Sequence, residues 1–448
     1  MSNGSITTKT SRMNRTFLEE YMEDLKWLFK KYGILFAVLL IVIILICVMY
    51  NRHEEQNGVS EADSCETDIE KTENDELSEE ERWEKGYDLP IEEEKKEEAE
   101  TNCFVIMDSF SDIYIHADKG DASNVVLSDE TLEQMQDVVS KSGYPVITSE
   151  EYCTMSNYEK MDQFLKDCMN GKDTSVILYS LSNSGGVSRK EYIFDGSEMY
   201  LLTAGAGWND SCDPVVSYIS YTRIDEWKYT EKGWFCYKLC VPEPPEVTEI
   251  VDGSELIRVI PLTEEYKDLS EKYVYPLCYQ GNNILCSNWD TTTLSTLDYN
   301  GVYEYFYRMK FGERLDPGNY TNGIPATEFE SVIMEYLPVT AEEIREWAVY
   351  DEETQTYAWA SLGCGNYNLS YFGTSVPEVT GLRQNGDGTI TLTVEAVCEM
   401  VVANEAVITH ELTIRIDEDR DFQYLGNEIL DDGIQNIPEY HYRISSDD

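Results

Sequence analysis

The residues of this chain that could do chemistry are few and scattered. Histidine occurs four times, at His53, His116, His410 and His441. None of these forms an HExxH pair, so the helix-borne zinc site of a metalloprotease is not written here. His410 alternates in phase with Ile408, Leu412, Ile414 and Ile416. That phase predicts a hydrogen-bonded core histidine on the inward face of a strand, not a ligand or a base. In "DEDRDFQYLGNE", Asp417, Asp419, Asp421 and Glu428 occupy the first, third, fifth and twelfth positions of a calcium loop. Phe422 stands where the sharp turn of such a loop needs glycine, so the run reads as a polar hairpin turn. "QNGDGT" reads the same way, because Asn-Gly and Asp-Gly accept positive φ.

Other signatures fail in the same manner. No Walker loop and no GxSxG elbow occurs, and "AGAGWNDS" lacks the third glycine of a dinucleotide fingerprint. "GAGWND" and "WASLGCGNY" have the composition of a turn or a sheet edge. Pairs of acids are frequent, but in so acidic a chain a nearby pair says little. Among twelve cysteines, Cys278 and Cys286 form the most local disulfide candidate. Cys236 and Cys240 share a strand face but lie too far apart along it to bridge easily. No CxxC is present, which leaves a zinc site weakly supported. The sequence therefore nominates no catalytic, cofactor-binding or metal-binding residue, and no cofactor is expected.

The elements that would position any site come next. The formal net charge is -52, which excludes nucleic-acid binding by phosphate neutralisation. Glu54 to Glu100 holds 21 acids against five bases and few aliphatics. Such a stretch cannot bury enough surface to offset its ordering entropy, and residues 51–100 are expected to form an acidic, disordered stalk. Before it, "GILFAVLLIVIILICVMY" (residues 33–50) is uncharged. A helix of about 18 residues spans about 27 Å, close to the hydrocarbon thickness of a bilayer. The run is long for a cleavable signal and is followed by no small-residue cleavage site, and Ile46 before Cys47 does not suit lipoprotein processing. Lys26, Lys30 and Lys31 precede the run and only Arg52 follows closely. The expectation is a single uncleaved membrane span with residues 1–32, including an amphipathic helix, in the cytoplasm and the remainder outside.

Beyond the stalk, two domains are expected, at 101–245 and 246–448, each with helices followed by an antiparallel sheet. In the first, "CFVIM" and "DIYIH" suggest short strands. Helices follow over "SDETLEQMQDVVSKSG", with Leu132, Met135 and Val139 as its stripe, and over "SNYEKMDQFLKDCMNG", with Ser156 and Glu159 as a capping box. "VILYSL", "EYIF", "MYLL", "VVSYISYT", "DEWKY" and "WFCYKLCV" read as strands, and "PEPPE" ends the domain. The second opens with strand-like "ELIRVIPL". Helices follow over "EEYKDLSEKYVY", "VYEYFYRMKF", "TEFESVIMEYL" (capped by Thr327 and Glu330) and "AEEIREWAVY" (capped by Thr340 and Glu343). Strands close it: in "TITLTVEAV", Ile390, Leu392, Val394 and Ala396 face one way, and "ITHELTIRI" alternates as clearly. The fold class is α+β, with a cone-shaped sheet like that of nuclear transport factor 2, in one or both domains, as the leading expectation and other α+β folds as alternatives.

The motifs "MSNYEKMDQFL", "EWKYTEKGWF", "LIRVIPL", "IPATEFESVIMEYL" and "NGDGTITLTVEAV", in this order, resemble a family of uncharacterised membrane-anchored extracytoplasmic proteins of Gram-positive gut bacteria. The resemblance covers about residues 100 to 430 and implies an anchored, two-part ectodomain and no activity. The function expected is a non-enzymatic, membrane-anchored binding or interaction module with a surface-protein or cell-wall partner. The alternatives are a structural component of a cell-surface or conjugation-type assembly, and a cell-wall-directed enzyme.

Overall fold

The computed structural model describes residues 77–120, 124–248, 251–362, 371–398, 406–417 and 421–444. The apolar run 33–50 and the first part of the acidic stretch lie outside them. Among the described residues no helix is long and apolar enough to cross a membrane.

The acidic stretch does not stay unfolded to Glu100. Helix α1 (Glu79–Lys85) opens with a capping box between Ser78 and Glu81 and closes on Gly86 in the left-handed region. Helix α2 (Glu93–His116) follows. It buries Ala99, Cys103, Ile106, Met107, Phe110 and Tyr114, a stripe with the spacing of a helix face. "CFVIM" and "DIYIH" are turns of this helix, not strands. Over five residues their β-branched and aromatic side chains look strand-like, but the buried positions keep phase only with a 3.6-residue period.

Helix α3 (Asp129–Ser140), capped by Ser128, buries Leu132, Met135 and Val139 as expected. Helix α4 (Tyr158–Met169) buries Met161, Phe164, Leu165 and Cys168, but without the expected capping box. Ser156 instead exchanges backbone hydrogen bonds with Val146. The helix then starts after Asn157, whose φ is 55° and whose amide donates to the carbonyls of Ser140 and Tyr144.

The first sheet runs in chain order through β1 (Val146–Thr148), β2 (Thr174–Leu181), β3 (Val187–Phe194), β4 (Met199–Trp208), β5 (Pro214–Tyr229), β6 (Trp234–Leu239) and β7 (Ser254–Arg258). Only β1 is parallel to its neighbour. One face packs Tyr179, Leu181, Val187, Ala204 and Ala206 against α2 and α3. The other packs Tyr192, Leu201, Phe235, Tyr237 and Ile257 with α4. The strand expected to open the second domain is thus the last strand of this sheet. β7 pairs Leu256 with Cys236 and Arg258 with Trp234.

The second sheet has the order β12 (Val376–Gln384), β13 (Ile390–Val397), β14 (Ile408–Asp417), β15 (Asp421–Ile429) and β8 (Trp289–Asp290). A small sheet of β10 (Tyr350–Asp351), β11 (Thr356–Tyr357) and β9 (Ile324–Pro325) sits beside it in sequence. Helices α5 (Glu264–Tyr273), α6 (Tyr299–Phe311), α7 (Ala326–Tyr336) and α8 (Ala341–Trp347) share one core with the strands. Within it Phe329 stacks between Tyr303 and Tyr357, with ring centroids 4.7 and 4.0 Å apart. Thr340 and Glu343 form their capping box on α8. Thr327 and Glu330 do not cap α7, whose N-cap position is Pro325. Glu330 turns inward instead, accepting from Arg345 at 2.7 and 3.1 Å and from the Tyr357 hydroxyl at 3.0 Å.

Candidate functional site

Two sets of strands meet where β6 and β7 of the first sheet face β12 and β13 of the second. Antiparallel pairing places Glu378 directly opposite Glu395. Like charges opposed in this way repel, and both side chains are buried, at 1 % and 6 % exposure. The first sheet supplies their counter-charges. Arg258 Nη1 donates to Glu378 Oε2 at 3.1 Å, and Trp234 Nε1 donates to the same oxygen at 3.1 Å. Lys232 pairs with Glu395, which also accepts from the Thr380 hydroxyl.

Local structure explains this placement. Trp234 and Arg258 are cross-strand partners, so the guanidinium lies over the indole, 4.9 Å from its centroid. The turn before β6 brings in Lys232 and depends on Gly233, whose φ is 88°. A Cβ at Gly233 would meet Ile260 at 2.4 Å, so the close approach is open only to glycine. Tyr152 donates to the Pro377 carbonyl and packs edge-on against Tyr275, fastening the loop after β1 to the second sheet's side.

A recess of about 360 Å³ opens beside this cluster. Its walls include Thr148 at the end of β1, Glu150, Glu151 and Cys153 from the loop after it, Trp234 and Arg258, and Val376 and Val397. Burial raises the Glu378 carboxyl to about 7, against the opposing pull of Arg258 and Trp234, with Glu395 adding repulsion. Burial also lowers Arg258, which Glu378 counteracts. Glu150 is raised by burial, then by the charges of Asp129 and Glu133. Burial raises Cys153 as well, so its thiol stays protonated and is a poor nucleophile. The site can hold a proton near neutrality on Glu378 and presents an excess of carboxylates to a ligand.

The residues weighed in the sequence sit elsewhere. His410 is fully buried, with Nε2 2.8 Å from the Tyr279 hydroxyl and Nδ1 2.6 Å from Asn427 Oδ1. The Asn427 amide donates to the carbonyls of Leu285 and Ser287, which leaves its oxygen for the ring. The imidazole is therefore neutral with its proton on Nδ1, and burial lowers it to about 4. His116 is exposed on α2, and His53 lies outside the described residues. Asp421 pairs with Lys272 at the start of β15 and Phe422 is buried, and residues 418–420 of the calcium-like run lie outside the described residues. Cys278 and Cys286 are free, as are Cys236 and Cys240. Among the described residues no group of three or more His, Cys, Asp or Glu is placed to hold a metal ion.

With this geometry in place, comparison with known proteins identifies the family. Residues 96–443 match DUF6070, a family of unknown function. The chain belongs to this family. No curated protein and no solved structure matches it. The DUF6070 match begins just inside α2 and ends at Arg443, so it spans both sheets and the whole seam between them. Reading along the sequence did not single out Glu378 or Glu395. The available signal was one acid set among apolar neighbours on each strand, in "VPEVTGL" and "LTVEAVC".

Proposed function

We propose that this DUF6070 protein is a non-enzymatic binding module, held outside the cytoplasm by a single span at residues 33–50, and that its seam recess takes a positively charged group. The observation that carries the ligand reading is the recess itself. Glu150, Glu151, Glu378 and Glu395 are set at or behind its walls against Arg258 and Lys232, and the contributing strands come from both sheets. The lysines before the apolar run and the acids after it support the topology. A cone-shaped second sheet, closing over α6 and α7 as in nuclear transport factor 2, remains part of this proposal.

A ligand bridging both sheets stabilises the folded state by about 2.7 kcal/mol at one hundred times its Kd. Thermal unfolding of the full chain with spermidine and with arginine amide is expected to show a rise in Tm. Citrate and N-acetylglucosamine are expected to give none. The rise should disappear in Glu150→Gln/Glu151→Gln. Stabilisation by citrate alone would overturn the ligand reading. Protease treatment of intact cells checks the topology: release of the region after Glu55 is expected, and protection would overturn the orientation.

A further inference from the structure

Strand β5 is 16 residues long, and β4 pairs with it from Pro214 to Ile224. Its other side is only partly covered. β6 pairs with β5 from Ile224 onward. Just before that, the chain's own segment Gly86–Leu89 lies on the outer edge: Arg223 N–H donates to Gly86 O at 2.7 Å and Leu89 N–H donates to Tyr221 O at 2.9 Å. These two bonds run antiparallel to β5. They also show which residues point outward, because backbone groups alternate along a strand. The N–H and C=O of Ile219 therefore point outward too, and no described strand pairs with β5 between Pro214 and Ser220.

An unpaired edge of this kind is a template for another strand, and proteins usually blunt it with charge, proline or a bulge. Here Pro214 and a register shift opposite Gly205/Ala206 give two of those protections. Charge, the third, is missing: "PVVSYISYT" has no ionisable acid or base other than tyrosine, in a chain of net charge -52. Val215 and Tyr218 are about half exposed, at 48 % and 52 %. Acids stand instead at both ends, with Asp210 and Asp213 before the free edge and Asp225 and Glu226 after it, all exposed.

We propose that the outer edge of β5, Pro214–Ser220, takes an extended basic polypeptide segment as an added strand. Main-chain hydrogen bonds supply the affinity, and the acids at either end favour cationic residues flanking a β-branched centre. A second copy of the chain would meet this edge against the repulsion of two strongly negative molecules. The inference is independent of the seam recess, which lies on β6 and β7.

The test uses the full chain in detergent and a fluorescein-labelled peptide of alternating Val and Thr flanked by Lys pairs. Binding read by anisotropy is expected, weakening as salt is raised. N-methylation of alternate peptide amides, which removes one ladder of hydrogen bonds, is expected to weaken binding by about tenfold or more. Ile219→Pro, which deletes an outward N–H outside the β4 ladder, should give a comparable loss. Equal binding of the N-methylated peptide would overturn strand addition without relying on any variant. Equal binding of a Glu-flanked peptide would overturn the basic partner. Concentration-dependent dimers lost in Ile219→Pro, with no peptide bound, would assign the edge to a second copy and overturn the proposal.

Discussion

The seam and the core of the second sheet each bury an ionisable side chain almost completely, yet they keep it in opposite ways. His410 is surrounded by neutral partners, the Tyr279 hydroxyl and the Asn427 amide, and is held uncharged. Glu378 is surrounded by charge and sits near the midpoint of its titration at neutral pH. A core that avoids charge can be sealed. A seam that tolerates charge remains responsive to protons, salt and ligands, because each of these acts on unbalanced carboxylates.

The largest expected effect comes from breaking the seam. Arg258→Met removes the partner of a buried carboxylate and should cost about 3–5 kcal/mol in urea unfolding at pH 8. The same variant should lose much less at pH 5, where Glu378 is protonated. An equal loss at both values would mean that Arg258 acts through packing on Trp234 and not through charge.

Next is the pH profile. A carboxyl raised from 4.5 to about 7 binds more protons folded than unfolded between those values, so its contribution to stability falls as pH rises through that window. The difference amounts to about 3 kcal/mol at most. His410, lowered from 6.5 to about 4, binds fewer protons folded than unfolded, so its contribution rises with pH between 4 and 6.5. The two slopes oppose one another where they overlap. Glu378→Gln should therefore unmask a profile that rises with pH, and an unchanged profile would show that Glu378 titrates normally.

His410→Leu sharpens the comparison from the other side. It leaves the Asn427 oxygen and Tyr279 hydroxyl without their partner, at about 1–3 kcal/mol, and should remove the rising limb. A variant as stable as the parent would mean that water replaces the ring. The smallest effect is expected from Arg383→Ala. Its pair with Glu411 is 2.8 Å long but solvent-exposed, and its loss should stay below about 1 kcal/mol.

Much of this architecture was legible where a pattern ran long enough to show its period. α3 and α6 follow their apolar stripes, α8 follows its capping box, and β13 and β14 follow their alternation, with Leu392, Val394, Ala396, His410 and Leu412 all inside. α2 was misread because five-residue windows hide a 24-residue phase. The caps at Ser156 and Thr327 do not form because strand contacts hold the preceding backbone, at Val146–Ser156 and at Ile324–Pro325, and move the cap one residue later in α4 and two residues earlier in α7. The seam was invisible for a different reason. On β13, Glu395 stands with the threonines on the side opposite Leu392 and Val394, and no local pattern reveals that Lys232, from a turn of the other sheet, will pair with it.

The segment that joins α1 to the sheet has a mechanical consequence. Lys85 and Tyr87 both bind Glu246, while Gly86 and Leu89 bond to the edge of β5. A pull on the chain at Leu77 reaches this clasp before it reaches either hydrophobic core. The clasp has few bonds, and they can open one after another. Under load α1 should peel away first while both sheets stay folded, baring the part of the β5 edge that Leu89 now covers.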